Sequence, residues 1–339
     1  MIKSLLSNKL SENRVQCNVC QRKCIIKDGE KGYCKTRENI KGELYSLIYG
    51  KVASFSVNPI EKKPIYHFYP GSQWLSLGSL GCNFFCPGCQ NWEIAHIIRG
   101  EMKMRDTQYI SPEGSINMAK RYHCIGISWT FNEPTIWLEY TLDSAKIAKK
   151  NNLYTNYVTN GYITEEALDT IGPYLDIFRV DIKGFSQKTY KKIANIQDFR
   201  GILKVVKRAR MKWKMHIEIV TNVIPGYNDN QLEIKELAKW IRDELGKETP
   251  WHITRFYPCL DLSYLKPTPI SQMESFREIG LESGLLYVYL GNVSHHPGEN
   301  TYCSNCKRML IKRSIFEIKE INIADGKCPF CEQTIYGSF

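Results

Sequence analysis

Short apolar runs alternate with longer segments of helical periodicity through the middle of the chain. The runs are rich in Val, Ile and aromatic residues, which is typical of strands buried in a parallel sheet. We therefore predict strands over residues 73–78, 125–130, 153–158, 175–182, 216–223, 251–256 and 286–290.

The segments between these strands carry helix signals. Ser111 and Thr164 stand where an N-cap side chain accepts a backbone N–H, and Pro134 suits the first turn of a helix. The pattern predicts helices over residues 111–124, 134–150, 164–171 and 231–245. Repeated strand–helix units predict a parallel sheet covered by helices on its outer face.

Polar side chains follow the predicted strands at the points where the strands end. Because the chemistry of a parallel βα barrel gathers at the carboxyl ends of its strands, we expect these side chains to share one rim. Two structural alternatives stay open: Glu133 as a helix cap, and Asp181 with Lys183 as an ion pair. The rim residues are Cys82, Asn132, Glu133, Thr159, Asn160, Asp181, Lys183 and Asn222.

The composition indicates a globular protein of a reducing compartment. The 339 residues are 43% hydrophobic, and no apolar run reaches the length of a membrane span. Thirteen cysteines without an apolar signal segment predict thiolate chemistry inside the cell. We therefore expect a cytoplasmic protein that does not attach to a membrane.

The net charge is +11, and the densest basic stretch is residues 204–214, where Lys and Arg alternate with apolar residues. This alternation predicts an amphipathic helix with a solvated basic face. A nucleic-acid-binding surface is the less favoured alternative.

Cys82, Cys86 and Cys89 form the most informative motif of the chain. Gly81, Pro87 and Gly88 within and beside it suit a tight loop around an inorganic core. Three thiolates leave one iron of a cubane cluster without a protein ligand, so that iron can bind another molecule. We interpret the motif as a redox cofactor site that holds a 4Fe-4S cluster.

Eight further cysteines form two sets of four, one near each end of the chain. The C-terminal set has two Cys-x-x-Cys knuckles and predicts a zinc ribbon, with a four-cysteine iron site as the alternative. The N-terminal set is less regular and indicates either zinc or an auxiliary iron–sulfur cluster. The sets are Cys17, Cys20, Cys24 and Cys34, and Cys303, Cys306, Cys328 and Cys331.

These motifs together resemble a known family. Cys82-x-x-x-Cys86-x-x-Cys89 resembles the cluster motif of radical S-adenosylmethionine (SAM) enzymes, and almost the whole chain resembles the AmmeMemoRadiSam family, which is related to pyruvate formate-lyase activating enzymes. The likeness is also carried by Asn58-Pro59-Ile60-Glu61-Lys62-Lys63-Pro64, His67-Phe68-Tyr69-Pro70-Gly71-Ser72, Thr130-Phe131-Asn132-Glu133-Pro134-Thr135, Thr159-Asn160-Gly161-Tyr162, Val180-Asp181-Ile182-Lys183-Gly184 and Tyr289-Leu290-Gly291-Asn292-Val293.

The resemblance implies an α/β fold: a partial (β/α)6-type parallel TIM-like barrel with small cysteine-rich metal-binding modules at both ends. We place the N-terminal module at residues 1–45, the radical SAM core at 46–297 and the zinc-ribbon-like module at 298–339. The implied enzyme is oxidoreductase-like. It cleaves SAM reductively at its 4Fe-4S cluster, and the resulting 5′-deoxyadenosyl radical abstracts hydrogen from a substrate that the sequence does not name.

The resemblance also implies roles for the rim residues. Asn132 and Glu133 match the place where relatives bind the methionyl ammonium of SAM, and Thr159 and Asn160 fall where ribose or methionyl contacts are made. Lys183 of the Asp181-x-Lys183 string is expected near the methionyl carboxylate.

The adenine contact is not assigned by the resemblance. Many radical enzymes place an aromatic residue before the last cluster cysteine, where this chain has Gly88. Phe84, Phe85 and Trp92 are the nearby aromatic candidates.

Partners and alternative functions follow from the same likeness. The enzyme requires a one-electron donor of the flavodoxin or ferredoxin type, and relatives occur alongside AMMECR-domain and Memo-family proteins. One alternative is a glycyl-radical activase, which acts on a backbone glycine of another protein. The other is a zinc-ribbon nucleic-acid-binding protein, against which the three-cysteine loop argues because a binding module gains nothing from an incomplete metal site.

Overall fold

The computed structural model describes residues 1–100 and 103–339. Its internal packing divides the chain into two compact units, each assembled from separate stretches. The first unit comprises Met1–Asn58, Gln73–Phe178 and Ala194–Met215, and the second comprises Pro59–Ser72, Arg179–Ile193 and His216–Phe339. The module boundaries at residues 45 and 297 stay predictions.

Short antiparallel strands open the first unit. They form two three-stranded sheets, and the N-terminal cysteines lie at the end of one strand and in the loops between the strands. The strands are β1 (Ile2–Lys3), β2 (Ser7–Lys9), β3 (Val15–Cys17), β4 (Ile25–Ile26), β5 (Arg37–Ile40) and β6 (Glu43–Ser46). One sheet has the order β1-β6-β5 and the other β2-β3-β4.

A mainly parallel sheet forms the centre of the first unit. Its strands follow the order β8-β9-β11-β12-β13, β11 pairs in parallel with both β9 and β12, and β7 pairs with β10 apart from it. The strands are β7 (Lys51–Val52), β8 (Ser54–Pro59), β9 (Gln73–Gly78), β10 (Gln108–Tyr109), β11 (Gly126–Trp129), β12 (Tyr154–Thr159) and β13 (Ile177–Asp181), of which β13 also contributes residues to the second unit. The strands predicted in this region are confirmed to within about two residues at each end.

The second unit continues the same strand–helix alternation. Its sheet has the order β13-β14-β15-β16, and β15 pairs in parallel with β14 and β16. Three antiparallel strands, in the order β17-β18-β19, follow near the C-terminus. The strands are β14 (His216–Val223), β15 (Trp251–Arg255), β16 (Val288–Gly291), β17 (Thr301–Tyr302), β18 (Met309–Ser314) and β19 (Glu317–Ile321).

The predicted helices and their caps are confirmed. Ser111 accepts the Gly114 N–H and Thr164 accepts the Ala167 N–H, as N-cap residues do. The helices are α1 (Trp92–Ala95), α2 (Pro112–Arg121), α3 (Leu138–Lys150), α4 (Glu165–Ile171), α5 (Gln187–Ala194), α6 (Arg200–Met211), α7 (Gln231–Trp240) and α8 (Ile270–Glu282). Short 3-10 turns occupy Ile60–Lys62, Met104–Asp106, Pro134–Trp137, Gly172–Tyr174, Leu260–Leu262 and Pro297–Glu299, and a π turn occupies Ile241–Leu245.

Helix α6 carries most of the basic stretch, and it is amphipathic as predicted. Its apolar side includes the buried Val205 and Val206. On its basic side the Arg208 guanidinium lies 2.5 Å from the Asp169 carboxylate, and Lys212, just beyond the helix, lies 2.8 Å from it. An acidic neighbour therefore neutralises part of the charge that suggested a nucleic-acid surface.

Each unit buries its own core of large side chains. Trp74, Trp129 and Trp137 are fully buried in the first unit, and Trp251 and Phe276 in the second. Near the C-terminus a further cluster packs the tyrosines of the β16 segment against Cys303, Leu310 and Cys328, so the cysteine module of the second unit is anchored by apolar contact.

Candidate active site

The loop that carries the three-cysteine motif leaves the end of β9 in the first unit. Gly81 has a φ of +84°, a left-handed conformation that favours glycine. Asn132 fixes this part of the chain, because its side-chain N–H donates to the Gly81 carbonyl (2.9 Å) and its Oδ1 accepts the Ser79 N–H (3.1 Å). Asn132 is therefore a positioning residue for the loop.

Cys82 lies in surroundings that disfavour a bare thiolate. Burial raises the pKa of the Cys82 thiol well above its ordinary value, and Glu133 raises it further. The sulfur accepts the Phe84 N–H at 3.4 Å. A bound metal cation is the partner that stabilises an ionised thiolate in such a site, so the chemistry of Cys82 fits metal ligation.

The three thiols of the loop are not drawn together around one point. Among the residues that the structure describes, no three metal-ligating side chains at this loop lie within 4.8 Å of one another. One tetrahedral ion holds its thiolates closer than that, whereas each cysteine of a cubane binds a different iron and stands further from its neighbours.

Glu133 is buried at the end of the neighbouring strand, β11, with 2% of its surface exposed. Its Oε1 accepts the Thr135 N–H (3.0 Å), the Thr135 hydroxyl (2.5 Å) and the Thr159 hydroxyl (2.6 Å). Its Oε2 accepts only the Asn160 N–H (2.8 Å) in the described structure. The helix-cap alternative is thus confirmed, while Oε2 keeps a lone pair for a further donor.

The electrostatics of Glu133 favour a cationic neighbour. Burial raises the pKa of the Glu133 carboxyl, and the donors from Asn160, Thr135 and Thr159 lower it only in part. A positively charged ligand at Oε2 would lower it further and stabilise the carboxylate.

Asn160 ties the end of β12 to the cysteine loop. Its side-chain N–H donates to Asn83 Oδ1 at 2.7 Å and approaches the Cys82 sulfur at 3.9 Å. The structure therefore brings Cys82, Asn132, Glu133, Thr159 and Asn160 together in the first unit.

Asp181 and Lys183 lie in the second unit, where they form the ion pair that the sequence left open. Lys183 Nζ is 3.3 Å from Asp181 Oδ2, and Arg179 Nη1 is 2.5 Å from Asp181 Oδ1. Burial opposes ionisation of Asp181, but the two cations outweigh it and lower the pKa of this carboxyl. Asn222 of the same unit donates to the Thr254 hydroxyl (3.1 Å) and so has a structural partner.

The aromatic candidates beside the loop differ in their surroundings. Phe84 is 1% exposed and packs on Tyr162, with 5.4 Å between ring centroids. Phe85 is half-buried and stacks on His96 at 4.0 Å, and Trp92 is half-buried. Phe84 belongs to the core, which leaves Phe85 and Trp92 as candidates for an adenine contact.

The C-terminal cysteines form a tight and regular set. All four sulfurs lie within 4.8 Å of one another, and the Cys303–Cys331 and Cys306–Cys328 pairs are 3.6 and 3.7 Å apart. In both knuckles the residue after the second cysteine, Lys307 or Glu332, has a left-handed φ and donates its N–H to the carbonyl of the first. Because zinc–sulfur bonds of about 2.3 Å in a tetrahedron separate the sulfurs by about 3.8 Å, the set fits one zinc ion.

The N-terminal cysteines are arranged differently, although Cys17, Cys20, Cys24 and Cys34 line one cavity in the first unit. Burial raises the pKa of Cys17 to about 11 and raises those of Cys20 and Cys24 as well. In the described structure, no three of these sulfurs lie within 4.8 Å of one another. The set therefore lines one cavity, with Cys17 and Cys20 buried and Cys24 and Cys34 half-buried, and it is less tightly packed than the C-terminal one.

Three side chains that sequence reasoning missed line the same cavity: Arg22, Tyr33 and Arg37. The Arg22 guanidinium stacks on Tyr33 at 3.5 Å, and Arg37 forms a buried ion pair with Glu139 at 2.7 Å. Arg22 lies between two of the cysteines in sequence and Arg37 follows the fourth, but neither position by itself indicated a role.

The chain is similar in sequence to known proteins. Residues 77–241, which contain the cysteine loop, Glu133 and Asn160, match the family model described as the Radical SAM superfamily. Residues 77–241 are therefore a radical SAM domain. This radical SAM protein is 43% identical over 337 residues to the uncharacterized protein MJ0808 of Methanocaldococcus jannaschii, a match that covers 99% of each chain.

Two further similarities concern function and fold. The radical SAM protein is 28% identical over 142 residues to the isethionate sulfite-lyase activating enzyme of Nitratidesulfovibrio vulgaris, covering 40% of this chain and 46% of that one. A radical SAM methyltransferase from Sphaerobacter thermophilus superimposes with a TM-score of 0.52 at 15% identity, over 68% of this chain and 71% of that one. The match to the isethionate sulfite-lyase activating enzyme shows similarity to activating enzymes. The match to the methyltransferase structure shows the fold alone.

The expected α/β fold with a parallel sheet is therefore confirmed. The assignment of the protein as a radical SAM enzyme is also confirmed. The radical SAM family implies SAM and a 4Fe-4S cluster as cofactors. Within residues 1–100 and 103–339, every helix is too short or too polar to cross a lipid bilayer.

Glu218 on β14 is a buried polar centre that the sequence did not reveal. Its carboxylate is 0% exposed and accepts hydrogen bonds from the Tyr66 and His67 backbone and from the rings of His216 (2.9 Å) and His252 (2.6 Å). Burial opposes its ionisation, yet the two histidines lower the pKa of Glu218. The histidines therefore serve a structural network in the second unit.

Proposed function

We propose that this radical SAM enzyme binds SAM beside the loop after β9, with Glu133 receiving the methionyl ammonium, and abstracts hydrogen from a substrate still to be identified. The observation that carries the proposal is the buried Glu133 Oε2, which accepts a single hydrogen bond of 2.8 Å. A buried carboxylate with a lone pair to spare is the partner that a primary ammonium group requires.

In this proposal the three cysteines of the loop and Asn132 have separate roles. Cys82, Cys86 and Cys89 hold the 4Fe-4S cluster, which when bound supplies the electron that cleaves SAM to methionine and a 5′-deoxyadenosyl radical. Asn132 holds the loop against the end of β9, through its bonds to Gly81 and Ser79. Orientation of this kind restricts the radical to one hydrogen of the substrate.

Thr159 and Asn160 support Glu133 in this proposal. The Thr159 hydroxyl and the Asn160 N–H fix the carboxylate in one orientation, so that Oε2 faces the ligand. The role of Lys183 at the methionyl carboxylate, which the family resemblance implies, stays a prediction; within the second unit Asp181 orients the Lys183 ammonium.

The first experiment tests the enzyme class and the role of Glu133 together. The full chain is reconstituted anaerobically with iron and sulfide, reduced with dithionite and supplied with SAM, and 5′-deoxyadenosine is measured. The wild type should form it, and Cys86→Ala should not. Glu133→Gln should keep the reduced-cluster spectrum but bind SAM about 10–150-fold more weakly, because a charged hydrogen bond contributes about 1.5–3 kcal/mol.

A second measurement separates binding from folding. SAM should change the electron paramagnetic resonance (EPR) spectrum of the wild-type reduced cluster at concentrations that leave Glu133→Gln unchanged. An unaltered SAM affinity in Glu133→Gln would remove Glu133 from the ammonium site, and wild-type protein with a full cluster but no 5′-deoxyadenosine would contradict the proposed reaction.

The finer family assignment and the partners are also part of the proposal. We assign the chain to the AmmeMemoRadiSam type, with a low-potential one-electron donor of the flavodoxin or ferredoxin class. AMMECR-domain and Memo-family proteins are its proposed companions, and the cytoplasm is its proposed location. The C-terminal set is proposed to hold zinc, for which the 3.6 and 3.7 Å sulfur separations are the support.

A glycyl-radical activase is the second candidate, favoured by the 28% identity to an isethionate sulfite-lyase activating enzyme. Such an enzyme abstracts the Cα hydrogen of a glycine in another protein. An extract of the native host grown on Cα-deuterated glycine should then transfer deuterium to 5′-deoxyadenosine. Retention of only protium, while the enzyme turns over with that extract, would argue for a different substrate class.

A further inference from the structure

We propose that Cys17, Cys20, Cys24 and Cys34 hold a second iron–sulfur cluster, and not zinc, directly beside the loop of the radical SAM cluster. The proposal goes beyond the SAM chemistry and does not depend on it, since it concerns four side chains outside the three-cysteine loop.

Sulfur spacing is the first step of the argument. The C-terminal set, with sulfur pairs at 3.6 and 3.7 Å, has the dimensions of one tetrahedral ion. In the described structure neither the N-terminal set nor the three-cysteine loop places three sulfurs within 4.8 Å of one another. The N-terminal set thus lacks the close sulfur packing of a single-ion site, as does the loop whose family binds a cubane, and in this it differs from the zinc-like set of the same chain.

Convergence is the second step, because wide spacing alone also describes unrelated cysteines. All four N-terminal cysteines line the same cavity, although they come from three separate loops and strands of the first unit. Cys17 and Cys20 are buried, and the Thr36 hydroxyl donates to the Cys34 sulfur at 3.1 Å. Four cysteines that line one cavity offer a ligand set for a metal centre.

Unsatisfied donors in the cavity wall are the third step. Arg37 and Asn83, which are 2% and 0% exposed, both line the cavity. Arg37 Nε and Asn83 Nδ2 have no hydrogen-bond acceptor among the described residues. Buried N–H groups require acceptors, and an iron–sulfur cluster offers inorganic sulfides in addition to its thiolates, which makes it a suitable partner for both.

Contact with the cysteine loop is the fourth step, and it lies entirely within the first unit. A β-carbon added to Gly81 would lie 2.7 Å from the Cys34 carbonyl oxygen, so the loop backbone packs directly on the N-terminal set. Asn83, the neighbour of Cys82, lines the N-terminal cavity, and Arg22 Nε donates to the Asn83 carbonyl at 2.5 Å. Two clusters held this way would be close enough for their unpaired spins to interact.

Metal analysis of the full chain tests the proposal. Protein expressed with iron-57, purified without air and left unreconstituted is assayed for iron, sulfide and zinc, then examined by Mössbauer and EPR spectroscopy. A variant with Cys82, Cys86 and Cys89 all changed to Ala cannot carry out SAM chemistry. It should nevertheless keep about four iron and four sulfide per chain, with a cluster signal that SAM does not alter.

The reciprocal variant is Cys20→Ala combined with Cys24→Ala. It should also keep about four iron per chain, now with a signal that SAM alters, while the wild type should contain about eight. The doubly reduced wild type should show faster spin relaxation than either variant. Zinc at the ribbon, unchanged in all three proteins, reports that the chain is folded.

Two results would overturn the proposal. One is zinc in place of iron at the N-terminal set, seen as a second zinc per chain in the variant that lacks Cys82, Cys86 and Cys89. The other is a folded variant with neither metal there. With either result the wild type can still form 5′-deoxyadenosine from SAM. Failure of this proposal is therefore distinguishable from failure of the proposed function.

Discussion

The two four-cysteine sets of this chain have equal numbers of ligands and different architectures. At the C-terminus two knuckles repeat the same backbone, with Lys307 and Glu332 in matching left-handed positions, and the four sulfurs close on a space for one ion. At the N-terminus the cysteines come from unlike segments around a shared cavity. The difference teaches that backbone geometry, more than cysteine count, decides which metal centre a set of thiols fits.

The two sets also depend on different surroundings. The C-terminal sulfurs are embedded in a local apolar cluster with Leu310 and Ile311 of β18. The N-terminal set is held by contacts remote in sequence, such as the Arg37–Glu139 ion pair and the approach of Gly81 to Cys34. Mutations that separate these two kinds of support should therefore affect one set and spare the other.

The largest effect is expected from Cys303→Ser combined with Cys328→Ser. Both residues are essentially buried in the apolar cluster, and structural zinc contributes roughly 10–16 kcal/mol of apparent folding free energy in zinc-finger peptides. The variant should lose the zinc that we propose for this set, together with the hydrogen-exchange protection of β18. Cys20→Ser serves as the control and should leave that protection intact. Undiminished zinc and β18 protection in the double variant would show that these sulfurs are not its ligands.

The next effect is expected from Glu139→Gln, which leaves the Arg37 guanidinium buried without its counter-charge. Breaking a buried pair in this way costs about 3–5 kcal/mol, so the free energy of unfolding should fall by that amount and N-terminal iron should fall with it. Ribbon zinc should be retained. Glu236→Gln, in an exposed pair with Lys239 at 2.9 Å, is the matched control and should cost less than about 1 kcal/mol.

The same pair gives a pH dependence with a definite sign. Burial opposes ionisation of Glu139, but Arg37 outweighs it and holds the pKa of this carboxyl below its ordinary value. A depressed folded-state pKa stabilises the protein above the unfolded pKa and ceases to do so as the pH falls through the folded one. The difference in the free energy of unfolding between wild type and Glu139→Gln should therefore be largest near neutral pH and should decrease below about pH 4. A gap that widens on acidification would contradict the assignment.

Gly81→Ala should have a somewhat smaller effect, again confined to the first unit. The new β-carbon would meet Thr36 Cγ2 at 2.6 Å and the Cys34 carbonyl at 2.7 Å, in a backbone with φ of +84°. The left-handed conformation costs roughly 1–2 kcal/mol, and displacing packed atoms a further 1–3 kcal/mol. Unfolding by denaturant should record the sum, and both iron sites should lose occupancy together.

Gly29→Ala is the matched control for that substitution. Gly29 has a φ of +76° but nothing within 4 Å of an added β-carbon, so only the conformational cost of roughly 1–2 kcal/mol should appear. Equal losses in the two variants would show that the loop and the N-terminal set are not in close contact.

Local signals explain what the sequence could predict. The caps at Ser111 and Thr164 follow from side chains that bond to the backbone three residues on, and the strands follow from apolar runs. The rim residues of the first unit were predictable for a similar reason, since strand ends place Glu133 and Asn160 at one edge. These features depend on neighbours in the chain or on the repeat of one motif.

Contacts between distant segments explain what the sequence could not predict. Arg37 and Glu139 are 102 positions apart, and Glu218 accepts hydrogen bonds from Tyr66 and His252, which are 152 and 34 positions away. Spacing indicated zinc for the regular C-terminal set because two equal knuckles have few alternative geometries. The irregular N-terminal spacing allowed both metals, and only the positions of Cys17 to Cys34 around their cavity favour one.

The smallest effect, and the one specific to the chemistry of the N-terminal set, is expected from Thr36→Val. This nearly isosteric change removes the hydroxyl that donates to the Cys34 sulfur at 3.1 Å. A hydrogen bond to a ligand sulfur stabilises the reduced, more negative cluster, so its loss should make reduction harder. A bond of about 0.5–1.5 kcal/mol corresponds to a one-electron potential lower by about 20–60 mV.

Redox titration monitored by EPR should find this shift in the N-terminal signal, while Thr36→Ser, which keeps the donor, should leave it near the wild-type value. The signal of the three-cysteine loop should not move in either variant, because its sulfurs do not share that hydroxyl. A zinc ion at Cys34 would give no N-terminal redox signal at all, so the same titration also separates the two metals that the sequence left open.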